Sequence, residues 1–131
     1  MGKSFKHTDG GRSATGLPEL RDGQGDCVCR ALAVVLGRPF LDIWEALAQA
    51  GQLNPDDGVY MHDEWFQRWA SQAGLERVSH VGWIGRYLVG ISPPAATWGH
   101  AVAIINGVQL DTWDSRDKLN RYGFDAAWQL I

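Results

Sequence analysis

Within residues 99–116, two runs rich in apolar and β-branched residues flank the dipeptide Asn106-Gly107. Asn-Gly is the dipeptide that best accepts the positive φ angles of a tight type I′ turn, so this stretch predicts a β-hairpin. The turn sets the pairing register, and side chains alternate between the two faces of each strand. In that register the Asp111 carboxylate lies diagonally across from the His100 imidazole, within side-chain reach. We therefore expect one face to carry His100, Val102, Asp111 and Trp113.

Three segments with helical spacing precede the hairpin. The first follows Asp26, runs from Cys27 to Leu36 with apolar residues on nearly all sides, and stops at Gly37. This pattern predicts an N-cap at Asp26, a buried central helix and a C-terminal glycine stop. The second helix should pack against the first as a helical hairpin. We expect the second and third helices over residues 40–50 and 64–73, with a loop over 52–61 between them.

Strand patterns dominate the second half of the chain, whereas residues 1–25 carry no sustained period. Their spread of glycines predicts an extended loop with at most a short strand over residues 13–17. Residues 117–121 are polar. Helices first and an antiparallel sheet afterwards predict an α+β fold, with the sheet packed on the first helix. Besides the hairpin, strands are expected over residues 75–80, 86–92 and 122–131.

Length and charge narrow the class of protein. A chain of 131 residues fits a single domain, residues 1–131, with a core of its own. A net charge of -3 at pH 7, without a basic run, argues against a nucleic-acid surface. No stretch approaches the length of a membrane span, and the N-terminus lacks the apolar core of a signal peptide. We therefore expect a cytoplasmic protein with no membrane partner, while the oligomeric state stays open.

The two cysteines and the acidic loop raise the question of metal binding. Cys27 and Cys29 would point away from each other on a helix, so we expect free thiols. A zinc site formed by these two cysteines and His100 is not expected, because the second pair of Cys or His ligands that is typical of zinc sites is missing. The acidic pair Asp56 and Asp57 lacks the spacing of an EF-hand loop, so calcium is not expected there. The sequence predicts neither a metal nor a cofactor.

Cys27 stands at the start of the buried helix, and His100 and Asp111 follow on the hairpin. Unpaired amides at a helix N-terminus and a neighbouring imidazolium both favour thiolate, and lower a thiol pKa from about 8.5 to as little as about 3.5. An acid would orient the imidazole and support its charge, so these residues predict a nucleophilic triad. We expect Cys27 to be the nucleophile, because Cys29 continues an apolar ridge where a cysteine is inert packing.

The remaining polar candidates have structural interpretations. Strand parity puts Asp114 on the face opposite His100, where it is expected to pair with Arg116 or to cap. Three other histidines have no partner at a usable spacing and are expected on the surface or in satisfied core positions: His7, His62 and His80.

Residues 93–99 lead directly into His100. This position predicts that they form one wall of a cleft beside the imidazole. Within the segment, Trp98 is expected either to contact substrate or to pack in the core.

The order Cys27, His100, Asp111 resembles the papain-like cysteine peptidases. In that superfamily a helix-capping Cys comes first, the His opens a strand, and the orienting Asn or Asp lies on the next strand. A Trp two residues after the orienting residue commonly shields the His pair from water, which implies this role for Trp113. A Gln before the nucleophile usually supplies an oxyanion donor, which implies that role for Gln24. The resemblance implies a papain-like fold and a thiol peptidase.

More narrowly, the chain resembles a group of small, largely uncharacterised phage and bacterial proteins. The likeness covers most of the chain but brings no established substrate. The motifs are Asp-Gly-Gly-Arg at 9–12, Gly-Asp-Cys-Val-Cys-Arg-Ala at 25–31, His100, Asp-Thr-Trp-Asp-Ser-Arg at 111–116 and Tyr-Gly at 122–123.

The leading expectation is a cysteine hydrolase that cleaves a peptide or isopeptide bond of a protein or peptide substrate through a thioester. An acyltransferase or a deamidase would use the same triad, because only the resolving nucleophile differs. The alternative from another class is an inactive papain-like binding module, phage-encoded, that engages a host protein in the host cytoplasm. A virion or assembly protein has no positive signal in the sequence. A Cys27 thiol activated by His100 separates the enzyme from the binding module.

Overall fold

The computed structural model describes residues 4–92 and 99–131, which form four α-helices and six β-strands. The helices are α1 (Cys27–Leu36), α2 (Phe40–Gly51), α3 (Glu64–Gln72) and α4 (Arg116–Tyr122). The strands are β1 (Ser4–His7), β2 (Leu75–Val78), β3 (Arg86–Ile91), β4 (His100–Ile105), β5 (Val108–Asp111) and β6 (Ala126–Leu130).

The six strands form one sheet in the order β1-β5-β4-β3-β6-β2. Every neighbouring pair is antiparallel except β1 and β5, which run parallel. The expected α+β fold is confirmed: three helices precede most of the sheet, and α1 packs on β4 and β3. None of the helices within these described ranges is long and apolar enough to cross a membrane.

The predicted hairpin is confirmed in both its turn and its register. Asn106 and Gly107 have φ angles of 48° and 81°, the two positive values that a type I′ turn requires. Ile105 pairs with Val108 across the turn, and Ala103 pairs with Leu110. Since β4 begins and β5 ends at the same end of the sheet, His100 and Asp111 lie diagonally across from each other, as predicted.

The N-terminal segment contains a strand that the sequence pattern did not predict. Residues Ser4–His7 form the sheet edge beside β5, whereas the short strand expected over 13–17 is wrong. A 3-10 turn, Arg12–Ala14, occupies the start of that range instead. The strand was missed because three of its four side chains are exposed, so main-chain hydrogen bonds hold it without an apolar signature.

Helix α4 was also missed, in the polar stretch 117–121. Leu119 is its one buried residue, which is too little for a periodic apolar stripe. Leu119 packs in a cluster with Val89, Val102 and Ile104 of the sheet. The helix also shortens the final strand, because β6 begins at Ala126 and not at 122.

The larger core lies between the sheet and the first three helices. Cys29, Leu32 and Val35 of α1 have no exposed surface, and they belong to one cluster with Ala101 and Ala103 of β4. The small side chains of β4 allow the helix to approach the sheet closely. The prediction of a buried central helix is therefore confirmed, with its stop at Gly37, where φ is 63°.

Candidate active site

The direction of α1 across the sheet places its N-terminus near the start of β4. Arg86, at the first position of β3, donates hydrogen bonds of 2.7 Å and 2.6 Å to the carbonyls of Val35 and Val34, at the C-terminal end of α1. Arg86 pairs with Ile105, whereas the other end of β3 pairs with His100. The helix therefore runs so that Cys27 lies at the His100 end of the sheet.

The N-terminus of α1 keeps its first amide groups free of a side-chain cap. Asp26 occupies the expected N-cap position, but the expected capping is wrong because its carboxylate makes no cap hydrogen bond. Its oxygens pair instead with Arg30 at 2.5 Å and Arg12 at 3.0 Å. The N–H groups of the first helical turn have no intrahelical acceptor, since that ladder starts with the Arg30 N–H bond to the Asp26 carbonyl. The half-buried Cys27 thiol lies at this electropositive end.

The structure brings Cys27, His100 and Asp111 together. His100 Nε2 lies 2.5 Å from Asp111 Oδ2, and the imidazole lies close enough to Cys27 for the thiol to raise the pKa of His100. Because the carboxylate engages Nε2, Nδ1 is the ring nitrogen left to exchange a proton with the thiol. The His100 side chain is 14% exposed and the Asp111 side chain 3%, so their contact is largely shielded from solvent.

The electrostatics of this cluster favour a charged imidazole and a charged carboxylate. Burial alone lowers the pKa of His100, but hydrogen bonds and charges from Asp111 and Cys27 outweigh it and raise this pKa to about 9. Burial raises the pKa of Asp111, yet the hydrogen bond and charge of His100, with bonds from Ser115 and Thr112, leave it lower than usual. Each group stabilises the ionised form of the other at neutral pH.

Asp111 is held by further donors that the sequence analysis missed. The Thr112 N–H donates to Asp111 Oδ1 at 2.7 Å, and the Ser115 hydroxyl donates to Oδ2 at 2.6 Å. Gln109 Nε2 in turn donates to Ser115 Oγ at 2.7 Å. Ser115 and Gln109 are both fully buried. A signal was present, because strand parity puts Gln109 on the face of Asp111 in an otherwise apolar strand.

Trp113 lies where the resemblance implies. Its ring stacks on His100 with centroids 5.2 Å apart and an interplanar angle of 29°. The residue is 44% exposed, so one face of the indole meets solvent while the other covers the imidazole. This arrangement shields the His100 contact with Asp111 from water.

Gln24 is engaged elsewhere. Its Nε2 donates to Asp57 Oδ1 at 3.0 Å, and its Oε1 accepts the Arg21 N–H at 2.8 Å. The amide is thus turned toward the loop that contains Asp57, and the oxyanion role implied for Gln24 gains no geometric support. The main-chain N–H of Cys27, in the first turn of α1, has no intrahelical acceptor and can donate to an oxyanion.

The second cysteine has the environment of packing, as expected. Cys29 is fully buried in the core between α1 and the sheet. Burial raises the pKa of its thiol strongly, and the nearby carboxylates of Asp26 and Asp56 raise it further. A neutral, inaccessible thiol cannot act as a nucleophile at neutral pH.

Arg12 is the centre of an ionic cluster beside α1 that the sequence analysis did not identify. Its guanidinium binds both oxygens of Asp56, at 2.6 Å and 2.9 Å, besides Asp26. Trp44 Nε1 donates to Asp56 Oδ1 at 3.1 Å, and Arg12 also donates to the Pro18 carbonyl at 2.7 Å. The hydrogen bonds from Arg12 hold the pKa of Asp56 below its usual range. The cluster thereby fixes the N-terminal segment against α1, α2 and the 52–61 loop.

Two of the remaining predictions have clear outcomes. Asp114 and Arg116 pair as expected, with Arg116 Nη2 2.6 Å from Asp114 Oδ2 on the exposed surface. His62 lies on the surface as expected, and its Nε2 lies 2.9 Å from Asp125 Oδ2, which is 63 residues away in the chain. Of the expected cleft wall, residues 93–98 with Trp98 lie outside the described residues.

Within residues 4–92 and 99–131, no group of three or more His, Cys, Asp or Glu side chains is arranged to hold a metal ion. A comparison with protein-family models, with curated proteins and with solved structures found no match to this chain.

Proposed function

We propose that this chain is a cysteine hydrolase of papain-like type that cleaves a peptide or isopeptide bond. The observation that carries the proposal is the contact series from Cys27 through His100 to Asp111. A half-buried thiol at a helix N-terminus meets an imidazole whose far nitrogen is held by a buried carboxylate. This combination produces a thiolate nucleophile and a proton donor in one place.

The proposed reaction starts from a Cys27 thiolate beside a protonated His100. The sulfur attacks the carbonyl carbon of the amide, and the resulting oxyanion is stabilised by the Cys27 N–H. His100 gives its Nδ1 proton to the leaving amine as the carbon–nitrogen bond breaks, which leaves a thioester. A water molecule then attacks the thioester and gives a proton to His100, and the carboxylic acid departs as the thiolate is restored.

The fold supports the papain-like assignment in four respects. The cysteine opens a buried helix that packs on a largely antiparallel sheet, and the histidine opens a strand. The orienting acid ends the adjacent strand, and the Trp two residues later stacks on the histidine. These four placements follow the chain order of that superfamily.

The geometry favours an enzyme over the inactive binding module. A module that only binds protein has no need for a buried imidazole clamped between a carboxylate and a thiol, because desolvating such groups costs free energy. An acyltransferase or a deamidase remains compatible with the proposal, since either would form the same thioester and differ in the nucleophile or amide used.

A two-part experiment tests the proposal. The first part follows p-nitrophenyl acetate, an activated ester, and expects a burst of p-nitrophenolate together with an acetyl group mapped to Cys27 by mass spectrometry. The second part incubates the protein with a proteome-derived peptide library and looks for new N-termini.

Cys27→Ala should abolish both signals, whereas Cys29→Ala is the matched control and should retain them, because Cys29 is fully buried. Acetylation that is absent from Cys27, or unchanged in Cys27→Ala, would contradict a thioester mechanism.

A further inference from the structure

Ser115 links the triad to a second buried polar residue. Its hydroxyl oxygen accepts a hydrogen bond of 2.7 Å from Gln109 Nε2 and lies 2.6 Å from Asp111 Oδ2. An amide N–H can only donate and an ionised carboxylate can only accept, so the direction of both bonds is fixed. The single hydroxyl proton of Ser115 must therefore point at Asp111.

All donors around Asp111 point at its carboxylate. Oδ2 accepts from Ser115 and from His100 Nε2, while Oδ1 accepts from the Thr112 N–H. Three donors fix the rotation of the carboxylate and hold it ionised. A fixed, ionised Asp111 keeps the Nε2 proton of His100 in place, which leaves Nδ1 aimed at Cys27.

This arrangement is kept at a local cost in stability. Ser115 occupies the N-cap position of α4, where a serine usually caps the helix, yet its side chain makes no cap hydrogen bond. Asp114 accepts the Arg116 N–H at 3.2 Å instead. Gln109 Oε1 is buried and has no hydrogen-bond partner among the described residues, which is unusual for a buried amide. Conflicts of this kind with local stability are typical of functional positions.

We propose that Ser115 and Gln109 are positioning residues that orient His100 toward Cys27 by fixing the Asp111 carboxylate. Neither residue contacts the thiol or takes part in bond breaking. The role rests on the proposed function, because it concerns the reactivity of the same thiol. It adds a chain of hydrogen bonds from Gln109 in β5 through Ser115 before α4 to Asp111, and Asp111 in turn holds His100.

The first test measures Cys27 alkylation by iodoacetamide at neutral pH in the wild type and in Ser115→Ala. We expect alkylation to slow about tenfold, the size typical of one lost hydrogen bond to a charged group. Gln109→Met, which keeps the side-chain length, should slow it less, because the Ser115 hydroxyl can still reach Asp111. Ser71→Ala is the matched control and should change nothing, since the Ser71 side chain is exposed on α3 and belongs to no part of the site.

A double-variant comparison separates positioning from a general structural role. If Ser115 acts through Asp111, then Ser115→Ala should slow alkylation in the wild type but add nothing in an Asp111→Asn background. An equal loss in both backgrounds, or no loss in the wild type, would overturn the proposal.

An NMR titration of the Asp111 carboxyl carbon distinguishes this proposal from the proposed function. Ser115→Ala should raise the pKa of Asp111, because one donor to its ionised form is lost. If Ser115→Ala raises the pKa of Asp111 but His100→Ala leaves Cys27 alkylation unchanged, the link between Ser115 and Asp111 is supported and the hydrolase is contradicted. If Cys27 alkylation depends on His100 but Ser115→Ala changes neither the alkylation rate nor the pKa of Asp111, the positioning role is overturned and the hydrolase is not.

Discussion

Two buried aspartates flank the Cys27 thiol, and they differ in the cations that they meet. Asp26 and Asp111 are 3% and 4% exposed, respectively. Asp26 lies between the guanidiniums of Arg12 and Arg30, which stay charged at every physiological pH. Asp111 lies against His100, which has a pKa of about 9 and so loses its charge at moderately alkaline pH. The first pairing is permanent, and the second depends on pH.

The difference assigns the two regions to separate tasks. The cluster around Asp26 also includes Asp56, and it connects the N-terminal segment, α1 and the 52–61 loop. It stabilises the start of the helix that carries Cys27. The cluster around Asp111 extends to the thiol through an imidazole that can lose and regain a proton. Substitutions in the first cluster should therefore change stability, and those in the second should change reactivity.

The largest expected effect is on stability in Arg12→Met. Removal of this guanidinium leaves Asp26 and Asp56 close together with one cation fewer, and breaking a buried ion pair costs about 3–5 kcal/mol. Urea unfolding measures the loss. Arg68→Met is the matched control, since the Arg68–Glu64 pair is exposed and such helix pairs contribute about 0.3–0.5 kcal/mol. Similar losses in the two variants would refute a stabilising role for the Arg12 cluster.

The second effect is a pH dependence that only the Asp111 cluster should produce. The pKa of His100 is raised from 6.5 to about 9 on folding. The charged imidazole therefore makes its full contribution to the free energy of unfolding below pH 6.5. The contribution is lost as pH rises through about 9, and since one pKa unit is worth 1.36 kcal/mol, it amounts to roughly 3 kcal/mol. The free energy of unfolding should fall over this range in the wild type and much less in His100→Ala. Equal pH profiles would contradict the ion pair.

The third prediction concerns the two aspartates directly. Asp111→Asn removes the negative charge beside His100, so the pKa of His100 should fall from about 9 to near or below 6.5, because burial then dominates. Asp26→Asn should lower stability but leave the titration of His100 close to that of the wild type. NMR titration of the imidazole measures both variants. A comparable fall in Asp26→Asn would remove the distinction between the two clusters.

The smallest effect is expected at Asp114, three residues beyond Asp111. Its pair with Arg116 is solvent-exposed, so Asp114→Ala should leave both Cys27 alkylation and the unfolding midpoint close to their wild-type values. Alkylation kinetics and thermal unfolding provide the comparison. A strong loss of Cys27 reactivity in this variant would show that the reactivity depends on several residues at the end of the hairpin, and not on Asp111 in particular.

The sequence predicts the elements whose signals are local. Asn106-Gly107 sets the hairpin and its register, and Gly37 ends the buried helix, so the placement of His100 and Cys27 follows from short-range patterns. β1 and α4 lack such signals, because the first is a mostly exposed edge strand and the second is anchored by Leu119 alone.

Partners far apart in the chain could not be predicted from spacing. Arg12 and Asp56 are 44 residues apart, and His62 and Asp125 are 63 apart. Only the packed fold brings such pairs into contact. Within the site, Ser115 was missed because the sequence pattern predicted no helix after it, and the contact of its hydroxyl with Asp111 depends on where that helix begins.

The pH dependence of Cys27 alkylation tests the central claim most directly. Iodoacetamide rates are measured between about pH 5 and 10 in the wild type and in His100→Ala, with the modified cysteine identified by mass spectrometry. The account predicts rapid alkylation of Cys27 in the wild type well below pH 8 and loss of this advantage without His100. A wild-type Cys27 that reacts only as an ordinary free thiol, or more slowly than the buried Cys29, would contradict it.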